Sequence, residues 1–166
     1  MGSVTVMLWH YTTGNAFADI MADRVLKTTS PPYLTKYTRP ELWFSSAKYW
    51  EQSASCFPAL RRKWQTNMLL TAQQCNGLYR FSLDTDRSDI PKFYRWRELG
   101  SMGVLPIELM ANHTLLHWRS WREYRRWYCC FKSISINKCN SIQQWTPPGC
   151  HGFAKRGKWI ALYRGR

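Results

Sequence analysis

His10, Tyr11, Thr12 and Thr13 close the apolar run Met7-Leu8-Trp9, and Ser45 and Ser46 close a second run, Leu42-Trp43-Phe44. A short apolar, aromatic-rich run that ends in polar side chains is how a buried strand delivers functional groups to the mouth of a cleft. An imidazole, hydroxyls and indole rings at two such ends are groups that can grip a ligand. A histidine in this setting is also commonly a hydrogen-bonded core residue, and the pairing of the two runs is what favours a site.

The elements that must position these groups follow from periodicity. In an extended segment Val4, Val6 and Leu8 face one way and Met7 and Trp9 the other, so both faces are apolar and the strand is expected to be central. Thr13 can cap a following helix whose Phe17, Ile20, Met21 and Val25 recur at three- and four-residue steps opposite Asp19, Asp23 and Arg24, ending near Leu26-Lys27. Pro31-Pro32 breaks the chain before the second run, and Ala47 to Gln52 is expected to open another helix.

The sequence His10-Tyr11-Thr12-Thr13, a helix, a Pro-rich connector, then Glu41-Leu42-Trp43-Phe44-Ser45-Ser46 and Tyr49-Trp50-Glu51-Gln52-Ser53-Ala54 resembles the ADP-ribosyltransferase fold of the diphtheria-toxin and poly-ADP-ribose polymerase type. It also resembles small bacterial and phage proteins with the same His-Tyr-Thr-Thr and Trp-Phe-Ser layout. The match covers about the first third of the chain. The resemblance implies that NAD is the cofactor, that His10 and Thr12 hold its adenosine ribose, and that Trp43 with Tyr49 or Trp50 encloses the nicotinamide, beside Ser45.

Further along, residues 60–74 carry Arg61-Arg62-Lys63 beside Trp64, Met68, Leu69 and Leu70, a helix whose basic run is either an anion grip or a solvated face. After the turn Cys75-Asn76-Gly77, residues 78–83 alternate as a strand with Leu78, Arg80 and Ser82 on one side and Tyr79, Phe81 and Leu83 on the other. If that strand borders the cleft, the planar fork of Arg80 suits a pyrophosphate; if it borders solvent, Arg80 has no special role. Residues 84–103 read as a surface loop or short helix. Residues 114–127 read as a helix in which Leu115, Trp118, Trp121 and Tyr124 recur among Arg119, Arg122, Arg125 and Arg126. Interleaved arginine and aromatic side chains suit single-stranded nucleic acid; tryptophans at that spacing equally suit a core. Residues 128–136 and 158–163 read as strands separated by Pro147-Pro148-Gly149 and Gly152. The expected architecture is α+β, a single ADP-ribosyltransferase-like domain over residues 1–166 with a mixed, largely antiparallel split sheet and flanking helices.

Composition narrows the class. The 166 residues suffice for one domain, and 24 Lys and Arg against 10 Asp and Glu give a formal charge of +14, which favours polyanionic partners. No leader pattern or membrane-length apolar window occurs, so a cytoplasmic protein without membrane contact is expected. Cys56, Cys75, Cys129, Cys130, Cys139 and Cys150 are then expected as reduced thiols, and their spacing matches no zinc knuckle, so no metal site is expected.

Cleaving the bond between nicotinamide and ribose develops positive charge on the sugar, so a transferase needs a carboxylate there as well as an aromatic clamp. No Asp or Glu follows Glu123. The carboxylate is therefore sought in Glu123 first, then Glu108, with Glu51 as an unusual position; the remaining alternative is a fold that binds NAD, or keeps only its shape, without transfer. The expected function is an NAD-dependent ADP-ribosyltransferase-like protein that modifies a nucleic acid or a nucleic-acid-associated protein, in the manner of a toxin or phage counter-defence factor. Its competitor is a non-catalytic basic protein that holds RNA, DNA or a nucleoprotein complex through residues 118–127 and the acid-free C-terminal region. A third possibility is a transferase that passes an RNA phosphate to NAD.

Overall fold

The β1 strand (Met7–Thr13) sets the centre of the fold, because apolar side chains on both of its faces require a packed layer over each, as the middle of a sheet provides. In the computed structural model, which describes residues 6–29, 40–51, 64–101, 125–148 and 157–165, β1 lies antiparallel between β3 (Leu42–Ser45) and β4 (Leu78–Asp84). With β5 (Tyr94–Arg95), β6 (Trp127–Cys130), β8 (Ser141–Thr146) and β9 (Lys158–Arg164), they form a seven-stranded sheet in the order β5-β6-β3-β1-β4-β8-β9. Every neighbouring pair in it is antiparallel. A second sheet pairs β2 (Val25–Leu26) with β7 (Ile134–Ser135). The helices are α1 (Gly14–Asp23), α2 (Trp64–Gln74) and α3 (Trp96–Ser101). The described chain is thus α+β with a mostly antiparallel sheet.

Residues directly opposite one another in an antiparallel ladder share a face. Leu8↔Leu83, His10↔Phe81, Thr12↔Tyr79, Phe81↔Ile142 and Phe44↔Tyr128 therefore define one face, and Trp9↔Ser45, Tyr11↔Arg80, Arg80↔Gln143 and Trp43↔Cys129 the other. The first face carries the main core, built on the fully buried Leu8, Phe81 and Leu83, with Leu26 and Ile134 of the small sheet and Phe17 and Ile20 of α1 packed on it. Phe17 stacks on Tyr79 at 3.8 Å, which fixes the height of α1 above the sheet. On the second face, Met68 of α2 packs with Trp50, Leu78 and Trp145, while Trp96 and Leu99 of α3 pack with Cys129 and Trp43.

Several boundaries differ from the sequence reading. The helix that was to reach Leu26-Lys27 stops at Asp23, because Arg24 takes a left-handed conformation (φ 56) and donates its N–H to the Ile20 carbonyl; Val25 and Leu26 then join β2. Met21, on the expected apolar stripe, is exposed. Thr13 occupies the N-cap without a side-chain cap bond. Residues 47–51 are irregular rather than helical, since their carbonyls are taken by side chains of the sheet, as described below. Residues 125–126 form a turn and Trp127 already belongs to β6; the rest of the expected helix at 114–124 lies outside the described residues. The strand expected at 128–136 is two short strands joined by a bend, followed by a 3-10 turn at Ile136–Lys138.

Cys75 is disulfide-bonded, which corrects the expectation of six reduced thiols: pairing depends on a short separation in space that chain spacing does not reveal. Cys129, Cys130 and Cys139 are free and buried, and burial pushes the pKa of each upward, to about 11 for Cys130 and about 12 for Cys139. Among the described residues no helix is long and apolar enough to cross a membrane.

The junction of β1 and α1 depends on Gly14. Its N–H donates to the carbonyls of Cys75 and Gly77, and a Cβ there would sit 1.9 Å from the Asn76 carbonyl oxygen. Gly14→Ala must push the helix start off the 75–77 turn, and overpacking of this kind costs about 1–3 kcal/mol. The expected result is a lower urea midpoint with an unchanged slope; an unchanged midpoint would show that the junction yields freely.

Candidate functional site

Of the residues expected to hold NAD, the sheet separates two from the rest. His10 and Thr12 lie on the main-core face, whereas Trp43, Ser45 and Arg80 lie on the opposite one. The cause is the period of two in a central strand: the residue after Trp9 must turn toward the face of Leu8. His10 packs its ring against Phe44 (5.5 Å) and Phe81 (6.3 Å), and its Nδ1 meets the Trp43 carbonyl oxygen at 2.8 Å. Burial lowers its pKa, with the Trp43 carbonyl opposing the shift. The expected slot with the His10 and Trp43 side chains as its two walls does not form; the contact between them runs through the Trp43 backbone.

The second face gathers the polar and aromatic groups. At its centre the Arg80 guanidinium, 6 % exposed, lies between the rings of Trp9 (3.8 Å) and Trp159 (4.2 Å). Its Nε and Nη2 both donate to Gln143 Oε1, at 2.8 and 2.6 Å, and its Nη1 donates to the Lys48 carbonyl. Tyr11 donates its hydroxyl to the Ala47 carbonyl, and the Trp159 indole N–H donates to the Tyr49 carbonyl at 2.8 Å. Three consecutive carbonyls, those of residues 47–49, are therefore held by side chains from β1, β4 and β9. The Nε/Nη2 fork of Arg80, which would meet a pyrophosphate, is turned onto Gln143 instead. Burial lowers the Arg80 pKa and raises that of Tyr11 to about 12.

The strap ends on a carboxylate. Glu51, 6 % exposed, accepts a 2.6 Å hydrogen bond from Ser45 Oγ, which in turn accepts from the Ala47 N–H at 3.1 Å. Trp50, beside it, is buried with its ring edge-on to Tyr11 at 5.4 Å, and its indole N–H has no hydrogen-bond partner among the described residues. Tyr49 is largely exposed. Trp43 sits apart, in the cluster formed with Trp96 (5.4 Å) and Trp127 (6.2 Å). Glu108, Glu123, Trp118, Arg119 and Arg122 lie outside the described residues, and Arg125 and Arg126 are exposed in the turn before β6. Among the described residues no three of His, Cys, Asp or Glu converge as metal ligands.

Sequence reasoning passed over Glu41. It stands two residues before Trp43, so alternation sends it to the second face, and an acid at an inward position of a buried strand was the available signal. The side chain is 1 % exposed, and among the described residues neither carboxylate oxygen meets a donor in good hydrogen-bond geometry. Burial pushes its pKa up to about 7, with the Trp43 side chain pulling the other way. The folded state thus holds the proton more tightly than the unfolded one. Its stabilising contribution is complete below about pH 4.5 and is lost as pH rises through about 7, a change on the order of 3 kcal/mol. Glu41→Gln is expected to remove that loss, so that the variant outlasts the wild type in urea at pH 8 and matches it at pH 4.5. Parallel pH profiles for the two proteins would exclude this role.

No protein-family model matches the chain, and no curated protein or solved structure matches it either.

Proposed function

We propose that the chain is an NAD-using ADP-ribosyltransferase-like protein whose reaction takes place at the second face of the sheet, with Glu51 as the carboxylate and a nucleic acid or nucleic-acid-associated protein as the target. The observation that carries this reading is the Glu51 carboxylate, held by Ser45 and the strapped 47–49 segment among Tyr11, Trp50 and Arg80. Charge-separating chemistry at a sugar needs a fixed negative group in a place where water cannot screen it.

In the proposed step the bond between the ribose C1′ and the nicotinamide nitrogen breaks. Nicotinamide leaves as a neutral base with the electron pair, and the positive charge that develops on C1′ and the ring oxygen is countered by Glu51. A hydroxyl or amine of the target forms the new bond to C1′ and gives its proton to solvent. The Trp50 indole N–H, without an acceptor among the described residues, is the donor offered to a ligand carbonyl. His10 and Thr12, on the other face, have structural roles in this reading.

The test is incubation of the protein with NAD labelled in the adenosine portion, in the presence of RNA and of cell extract. Release of nicotinamide together with label on a macromolecule is the expected result. Absence of both removes the enzymatic reading.

A further inference from the structure

Where the 85–93 loop runs from the end of β4 to β5, a cleft of about 390 Å³ is lined by Arg87, Ser88, Lys92, Phe93, Arg95 and Tyr128 among others, and no acidic side chain lines it among the described residues. The three cations differ in how far they are neutralised. Arg87 forks onto both Asp89 oxygens, at 3.0 and 2.9 Å, with Lys138 on the far side of the same carboxylate. Lys92 and Arg95 are exposed and have no carboxylate partner among the described residues; Lys92 lies 5.1 Å from the Tyr94 ring and Arg95 5.9 Å from the Tyr128 ring. The nearby Glu98 accepts from the backbone N–H of Arg95. Phe93 is anchored from beneath, edge-on to Phe44 at 5.0 Å.

We propose that this cleft binds single-stranded nucleic acid, taking one unpaired nucleotide with its phosphate on Lys92 and Arg95 and its base against Phe93 and Tyr128. A volume of this size suits one nucleotide, at the small end of ordinary ligand pockets. Two unneutralised cations beside aromatic walls supply the phosphate and base contacts that unpaired strands use. The formal charge of +14 draws a long polyanion in preference to a neutral ligand. A duplex keeps its bases stacked and offers the cleft only phosphates. The inference rests on the proposed function only in identifying the bound strand with the transferase's target; binding is measured without NAD, so each can fail alone.

The experiment uses the full chain and a fluorescein-labelled twelve-residue oligouridine, followed by anisotropy between about 50 and 200 mM salt. The double variant Lys92→Ala/Arg95→Ala is expected to lose about tenfold or more in affinity, with the salt slope shallower by about 0.7 for each cation removed. Lys158→Ala/Arg164→Ala removes the same charge from the exposed strand β9 and is expected to stay within about threefold of wild type. Circular dichroism establishes that both variants are folded. Equal losses in the two double variants, a duplex of the same length that binds as tightly as the single strand, or no binding by the wild type would each overturn the proposal.

Discussion

Glu51→Gln is expected to lower NAD cleavage and label transfer by about 100-fold or more while leaving the protein folded, the scale on which a single positioned charge or proton-transfer group acts in catalysis. The amide has the shape of the carboxylate and can still accept from Ser45 Oγ, so the strap across residues 47–49 has no reason to move. The melting temperature and circular dichroism report whether the fold is kept. His10→Ala provides the contrast. It removes a ring packed on Phe44 and Phe81, so stability falls, whereas any loss of activity should follow the unfolded fraction rather than exceed it. A Glu51→Gln protein that turns over NAD at the wild-type rate would remove Glu51 from the chemistry, and a folded His10→Ala protein without activity would return the site to the other face. If no form of the protein cleaves NAD while the oligouridine still binds, a non-catalytic nucleic-acid-binding protein is what remains.

How much was legible follows from which forces are local. The centrality of β1 and the two-sided pattern of Leu78 to Leu83 were readable, because period-two alternation is written in consecutive residues and the ladder obeys it. The same rule, carried one residue further, places His10 with Leu8 and away from Trp9. What misled was treating a strand end as a fan of side chains meeting in one cleft, when a seven-residue strand runs through to Thr13 and keeps alternating. The end of α1 was not legible: nothing before Arg24 announces a left-handed residue, and Val25 and Leu26 continue the helical spacing while being drawn into pairing with a segment more than 100 positions away. Nor was the irregular course of 47–51, since it is imposed by donors on β1, β4 and β9 that only the fold brings alongside. Tertiary hydrogen bonds overrode local propensity in both places.

Arg80→Ala is expected to cost about 3 kcal/mol, the upper end of ordinary single-substitution losses. Three kinds of loss coincide there. The part-buried Gln143 Oε1 and Lys48 carbonyl acceptors lose their donors, each a loss of about 1 kcal/mol. The Trp9 and Trp159 rings lose the planar cation between them, and the space it filled is left open. Arg80→Lys separates charge from shape: an ammonium keeps the positive charge but cannot lie flat between two indoles while donating along both arms of the fork, so about half the loss should persist. Urea denaturation measures both variants. Because Arg80 meets the 47–51 segment at Lys48 and not at Glu51, it is a positioning residue, and the Lys variant discriminates that role from a purely structural one. With the strap loosened, Glu51 is no longer held against the site, so the fully folded Lys variant should show a lower kcat for NAD cleavage with little change in KM. A Lys variant as stable as the wild type would mean that charge alone organises the second face. One that is destabilised but fully active would mean that Glu51 is positioned by Ser45 without the strap.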